Sequence, residues 1–344
     1  MADVVVDFRS DTLTRPSPAM REAMAAAEVG DDVFDEDPTL HELQEYVAGL
    51  FGHEAALFAP SGTMANQIAL QLAVPRGEEL LCDAAAHVVT DEIGAAAALG
   101  GVSTRTWPSV GADLDPAVVA DMIRPEGFVA VATRAIAVEQ THNRQGGAVL
   151  PLAALRALRT IADDAGVHLH CDGARIWHAH VADGVPLATY GRLFDSLSVC
   201  LSKGLGAPVG SLIVGSAQRI AAARKLRKRM GGGMRQAGIL AAAGLYALRN
   251  NIARLAEDHD RARRLAEALA PSGVVDPARI RTNIVPLDLT GAPVDGPAFA
   301  TAAREHGILV SVLGLRLVRL VTHLDQTEDG IDHAVKVLPM LLSS

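Results

Sequence analysis

The sequence predicts an α/β protein, with a large domain on a mostly parallel, doubly wound sheet and a small C-terminal α+β domain after it. Three observations carry this. Short apolar runs alternate with helix-like segments along most of the chain, which is the pattern of strands joined by helical crossovers. Chemically able residues (His87, Asp172, Lys203) fall at the carboxyl ends of predicted strands, where open α/β sheets gather their ligands. The last third then changes to its own strand, helix, strand, helix pattern. A chain of 344 residues is long enough for two cores. The expected boundaries are an N-terminal arm at 1–17, a large domain at 18–250 and a small domain at 251–344.

The elements follow in order. Residues 4–20 are polar and punctuated by proline, with no periodic apolar face, and read as an arm lying across another surface. A helical segment at 19–27 leads to the acidic loop 30–38, which lacks the alternating oxygen ligands and final glutamate of an EF-hand. Its Asp37-Pro38-Thr39 is a helix start, and Leu40, Leu43, Val47, Leu50 and Phe51 recur at helical spacing. A strand at 55–60 meets Ser61-Gly62-Thr63 and a helix at 64–74. Strands are expected at 80–82, 102–107, 127–133 and 136–139, then a helix at 151–165 and a strand at 167–171. The runs on either side of Lys203 read as strand, turn, strand. Beyond them come a basic helix (Arg224 to Arg229), the run Gly231-Gly232-Gly233, and one long helical region at 236–269. The small domain should hold strands at 283–287 and 315–321 and helices at 297–306 and 327–342.

Composition narrows the partners. A net charge of -9 argues against nucleic acid, and the basic helix has no interleaved aromatics. No uncharged apolar run is long enough to span a bilayer, and the N-terminus has no basic segment before an apolar core, so the cytoplasm is the expected location. Cys82, Cys171 and Cys200 form an odd set without paired spacing and read as reduced, buried thiols.

Lys203 is one of only four lysines among 31 basic residues, set between Ser202 and Gly204 at a strand end. An amine in such a desolvated turn is suited to Schiff-base chemistry. Pyridoxal phosphate needs such a lysine for its aldehyde and a carboxylate beside its pyridine nitrogen, and Asp172 ends a neighbouring strand. Ser61, Gly62 and Thr63 open a helix, where backbone N–H groups and the helix dipole attract a phosphate. His87 follows another strand end, suited to stacking or to proton transfer. Arg319 lies on an alternating strand and suits a carboxylate. Arg235, freed by the glycine run, suits a phosphate, including one in a neighbouring subunit. A rival zinc site drawn from His168, His170, His178 and His180 competes for a strand face that the cofactor already explains, so no metal is expected.

These motifs together resemble the threonine aldolases among the aspartate aminotransferase-like (fold type I) pyridoxal phosphate enzymes. They run from Asp7-Phe-Arg-Ser-Asp-Thr12 and Val29-Gly-Asp-Asp-Val33 through Pro60-Ser-Gly-Thr63, Glu139 to Asn143 and His170-Cys-Asp-Gly-Ala-Arg-Ile176. Cys200 to Lys203, Ala207 to Ser211, Gly231 to Gln236 and Arg319-Leu-Val-Thr-His323 complete them. The resemblance implies a lyase that splits L-threonine or L-allo-threonine into glycine and acetaldehyde, with Lys203 as the Schiff-base lysine. It implies Asp172 at the pyridine nitrogen, His87 stacked on the ring, Gly62, Thr63 and Arg235 at the phosphate, and Ser10, Arg175 and Arg319 at the substrate carboxylate. It further implies a homotetramer in which Arg235 and Lys228 approach a neighbour's site. Two departures, Phe34 for a tyrosine and Val129 where relatives have a histidine, remove polar groups and point to bulkier side chains such as phenylserine. Another lyase on the same fold, acting by β-elimination, is the alternative.

Overall fold

A computed structural model of the chain describes residues 6–108 and 114–342. The first five residues of the expected arm and the last two of the expected small domain lie outside them. The strands are β1 (Val6–Asp7), β2 (Ala55–Ala59), β3 (Glu79–Asp83), β4 (Ser103–Trp107), β5 (Thr133–Glu139), β6 (His168–Gly173), β7 (Ser196–Cys200), β8 (Ser211–Gly215), β9 (Ile284–Asp288), β10 (Ile308–Leu309), β11 (Ser311–Gly314) and β12 (Leu317–Val321).

Seven of them form one sheet in the order β2-β8-β7-β6-β5-β3-β4. It is parallel except at β8, which runs against both β2 and β7. The ten-residue turn 201–210 explains that exception, because so short a connection returns a chain antiparallel whereas a parallel return needs a longer crossover. β5, β6, β7 and β8 are buried on both faces, as a sheet covered by helices on both sides requires. A smaller antiparallel sheet, β11-β12-β9, belongs to the C-terminal third.

Two main hydrophobic clusters follow this division. The larger gathers buried side chains from Met20 to Leu255, among them Phe51 and Trp177, whose rings meet edge to face at 5.5 Å. The smaller gathers Val6 and Phe8 with residues between Ala262 and Leu342. The start of the arm is therefore built into the second cluster, and β1 pairs parallel with β10 through Val6 and Ile308.

Several expected elements are redrawn. The separate strands at 127–133 and 136–139 are one strand, β5, and residues 127–131 form an irregular approach on which Phe128 and Val129 are fully exposed. Apolar residues there are not evidence of sheet, because the ladder is occupied only from Thr133 onward. The helical region 236–269 breaks into Gly238–Asn250 and Leu255–Leu269, where the chain crosses from one cluster to the other. The strand expected at 315–321 starts at Leu317, because residues 311–314 form its partner β11. The final helix is Glu328–Val337, with a short tight turn at 340–342.

Candidate active site

The register brings the ends of five strands to one edge of the large sheet. Glu139 lies opposite Asp172, Asp172 opposite Ser198, Cys200 opposite Ser211, and Ser211 opposite Ala59. The turn that carries Lys203 follows the carboxyl end of β7 and, because β8 is reversed, returns at this edge instead of crossing to the far one.

Asp172 is buried, and its carboxylate is held on both sides. Oδ1 accepts the Ala174 N–H at 3.0 Å and Oδ2 accepts Asn66 Nδ2 at 2.7 Å. The same Asn66 amide nitrogen donates to Glu92 Oε1, also at 2.7 Å, so one NH₂ group joins two buried carboxylates. Asn66 Oδ1 accepts the Ser198 hydroxyl at 2.5 Å and faces His170 Nε2 at 3.3 Å. Gln67 Nε2 completes the set with a 2.7 Å bond to Glu92 Oε2. Such amide bridges satisfy buried carboxylates without adding a cation.

His87 opens the short helix His87–Thr90, and its backbone N–H donates to Glu139 Oε2 at 2.8 Å. Its Nδ1 lies 2.8 Å from Glu92 Oε1, which assigns the Nδ1 proton and leaves Nε2 for other work. Burial alone lowers the imidazole's pKa, but the Glu92 bond and the charges of Asp172, Glu92 and Glu139 outweigh it and raise the group above its ordinary value. His87 Nδ1 and Asp172 Oδ2 are 4.0 Å apart. A small cavity between Ala86 to Val88 and Ala137 to Glu139 opens onto both.

Ser61 caps the helix Gly62–Ala73, its hydroxyl accepting the Met64 N–H at 3.2 Å. The Gly62 and Thr63 N–H groups belong to the first turn, which no helix satisfies internally. A Cβ at Gly62 would lie 3.5 Å from Ser211 Oγ, a buried hydroxyl with only the weak Cys200 thiol beside it. Lys203 is half-buried, and its carbonyl accepts the Thr14 hydroxyl and the Gly206 N–H, each at 2.8 Å. At Gly204 an added Cβ would come within 2.6 Å of His178 Nε2, so the lysine turn rests directly on the buried His178–His259 pair.

Arg175 and Arg319 meet at Asn143. Arg319 Nη1 donates to Asn143 Oδ1 at 2.8 Å and Arg175 Nη1 approaches the same oxygen at 3.4 Å. Arg175 is already paired with the wholly buried Asp11, which accepts Nε at 2.8 Å and Nη2 at 2.7 Å. Burial opposes charge on Asp11, yet the Arg175 guanidinium overcomes this and holds the carboxyl well below its usual range. Arg319 has no carboxylate partner among the described residues. Its Nε is buried without an acceptor, and burial together with the Arg175 charge lowers its pKa to about 10.

Of the other candidates, Ser10 sits between Arg9 and Asp11, which bond Arg319 and Arg175, and the rest lie elsewhere in this single chain. Ser10 caps its own turn, accepting from Thr12 N and Oγ1. Arg235 is exposed and bonded to Asp31 at 3.0 Å, and Lys228 is exposed at the end of its helix. Phe34 and Val129 are exposed. The four histidines of the rival zinc set are otherwise engaged: His168 and His170 meet Ser196, His178 meets His259, and His180 meets the Val185 carbonyl. Asp11, Asn66, Gln67 and Asn143 were not singled out from the sequence. Asn66 and Gln67 follow Thr63 by one helical turn, a spacing that puts them near the cap face and gives a usable signal. Asp11 has no such local signal.

A family model described as beta-eliminating lyase matches residues 7–291. The chain belongs to that family. Within it, the chain is 45% identical to the low specificity L-threonine aldolase of Escherichia coli (strain K12), over 95% of this chain and 96% of that one. It is 41% identical to a probable low-specificity L-threonine aldolase of Arabidopsis thaliana, over 98% of both. The fold of this beta-eliminating lyase family member superposes on a solved threonine aldolase of Leishmania major with a TM-score of 0.82 at 21% identity, covering 98% of this chain and 99% of that one.

Proposed function

We propose that the protein is a pyridoxal phosphate-dependent threonine aldolase that cleaves L-threonine and L-allo-threonine to glycine and acetaldehyde. The observation that carries this reading is the charge-unbalanced arginine pair: the buried Arg175 and the half-buried Arg319 guanidinium groups share one amide oxygen beside the edge that holds Asp172 and Lys203. A single carboxylate is the group that this arrangement lacks. The family membership and the relatives' names support the same reaction.

The residues present fit the cofactor. The unused first-turn N–H groups of Gly62 and Thr63, beside the poorly satisfied Ser211 hydroxyl, suit its phosphate, with Ser61 as the cap that fixes them. Asp172, fixed by Asn66 and Ala174, suits the pyridine nitrogen, and His87 suits the ring face. Bound pyridoxal phosphate supplies an aldehyde that condenses with amines and a ring that takes up the electron pair of the broken Cα–Cβ bond. Lys203 Nζ is the amine that would hold that aldehyde in the absence of substrate. Asp172 keeps a proton at the pyridine nitrogen. Arg319 and Arg175, with Ser10, would hold the substrate carboxylate and so fix the orientation of the bonds at Cα. His87 Nε2 takes the β-hydroxyl proton, directly or through one water molecule, and its raised pKa makes it the stronger base.

The same reading includes the division into an arm (1–17), a large domain (18–250) and a small domain (251–344), supported by the two hydrophobic clusters. It includes a cytoplasmic location, supported by three free buried cysteines. It also includes a homotetramer in which Arg235 and Lys228 reach a neighbouring site, supported by exposed Phe128, Val129 and Ile93 and by the exposure of Arg235 itself.

The test is an absorbance spectrum of purified protein followed by assay of glycine and acetaldehyde from both diastereomers. Lys203→Ala should lose the visible-edge band and turnover together; a variant that kept both would refute the assignment. Arg319→Ala should raise KM for threonine about tenfold to a hundredfold, the loss of one to two charged hydrogen bonds, with cofactor retained. Loss of cofactor instead would make Arg319 structural.

A further inference from the structure

We infer that Asp11 is the charge-balancing residue of the substrate pocket: by neutralising Arg175 it leaves one uncompensated positive charge, and so selects amino acids with a single carboxylate. The inference rests on the proposed role of Arg175 and Arg319 in holding that carboxylate. Asp11 is wholly buried although it belongs to a polar N-terminal arm, and it accepts three N–H groups: two from Arg175 and one from Asn283 Nδ2 at 3.1 Å. A surface aspartate brought across the molecule and desolvated at this cost needs a compensating partner, and Arg175 is that partner. Asn283 in turn donates to the Thr322 carbonyl at the end of β12, which ties the pair to the strand that carries Arg319.

The surrounding charges support one net positive charge. Among the groups bonded to one another, Arg175 and Arg319 contribute two cations and Asp11 one anion; Glu139, which also acts on Arg175, is faced by His142 and held by the His87 and Asn143 N–H groups outside this set. Arg144 and Asp91, which also act on Arg319, form their own ion pair at the surface and cancel. Pairing also fixes geometry: with Nε and Nη2 committed to Asp11, only the Nη1 side of Arg175 faces Asn143 and Arg319. A second carboxylate on the substrate therefore finds no free fork. The rest of the arm reinforces the arrangement. The Arg9 carbonyl accepts Arg319 Nη2 at 3.3 Å, and Thr14 bonds both the Asp11 carbonyl, at 3.0 Å, and the Lys203 carbonyl.

Asp11→Asn keeps the size and removes the charge. Glycine, which binds without being cleaved, is titrated by the absorbance change of the holoenzyme, and malonate serves as a dianionic competitor. In the variant the ratio of malonate to glycine affinity should rise about tenfold or more over wild type, because a second cation is released and the Arg175 fork is freed. Thr14→Val loosens the arm without altering charge, and should leave that ratio unchanged even where both affinities fall. A ratio in Asp11→Asn equal to wild type, or an equal rise in Thr14→Val, overturns the inference. Should Asp11→Asn fail to fold, Arg175→Lys in the wild-type background keeps the charge and breaks the fork. It should weaken glycine with no rise in the ratio, and a rise there would refute charge as the cause. Failure of the underlying reading is separately visible, because Arg319→Ala would then leave glycine affinity intact.

Discussion

Replacing Asn66 with alanine tests whether the aspartate at the centre of the site depends on a neutral bridge. In the folded chain the Asn66 NH₂ group spans Asp172 and Glu92, with both bonds at 2.7 Å, and acceptor atoms of the two carboxylates lie within 4.8 Å of each other. Two unit charges at that distance repel by roughly 3 kcal/mol at an effective dielectric of about 20. The two lost bonds are worth about 1.5–3 kcal/mol each. His87 offsets part of the repulsion from the other side, because its Nδ1 bonds Glu92 and lies 4.0 Å from Asp172. With the bridge gone, the remainder pushes the two carboxylates apart and leaves Asp172 without the bond that fixes its Oδ2, so cofactor affinity should fall about tenfold or more, the equivalent of one lost charged hydrogen bond. The assay is titration of apoprotein with pyridoxal phosphate, followed by absorbance. Wild-type affinity in the variant would refute the coupling.

Two further outcomes concern the supports of the site. Gly204→Ala should cost roughly 1–3 kcal/mol in urea unfolding and lower activity, because its Cβ would meet His178 Nε2 at 2.6 Å and push the Lys203 turn outward; unchanged stability and kcat would show that the turn has slack. His170 is wholly buried, and burial lowers its pKa from 6.5 to about 4. Between those values the unfolded chain binds a proton that the folded chain refuses, so stability should fall with acid by up to about 1.4 kcal/mol per pH unit on this account alone. His170→Gln should show a shallower loss between pH 7 and pH 5 than wild type, and equal slopes would refute the assignment.

How much of this was legible depended on whether the cause was local. The cap at Ser61, the strand ends at Asp172 and Lys203 and the alternation around Arg319 are short-range patterns, and the fold class they predict is the one observed. The misread strand at 127–133 shows the limit of that method, since an apolar run does not reveal whether a ladder partner exists beside it. Asp11 shows it more sharply. Its burial is created by residues 164 and 272 positions away, Arg175 and Asn283, and nothing in Arg9-Ser10-Asp11-Thr12 distinguishes it from a solvated aspartate. Asn143 lies within a sequence motif, Glu139 to Asn143, yet its place as the shared acceptor of two arginines depends on β12 returning beside the loop after β5.

The long-range contacts share one feature. Three side chains proposed for chemistry are held by a neutral or oppositely charged neighbour from a different part of the chain: Asp172 by Asn66, Arg175 by Asp11 and Arg319 by Asn143. Lys203 is held through its backbone, by Thr14. Its amine is thus left free while the turn that aims it is fixed, which suits a group that must exchange one bonding partner for another in each turnover. The arm reaches three of these groups, through Arg9, Asp11 and Thr14, and it is also built into the smaller hydrophobic cluster through Val6 and Phe8. A displacement of that cluster relative to the large sheet would therefore disturb Arg319, Arg175 and Lys203 together. On the proposed reading, substrate carboxylate and substrate amine meet groups that share one strap, so that binding of the first would help to set the geometry for the second.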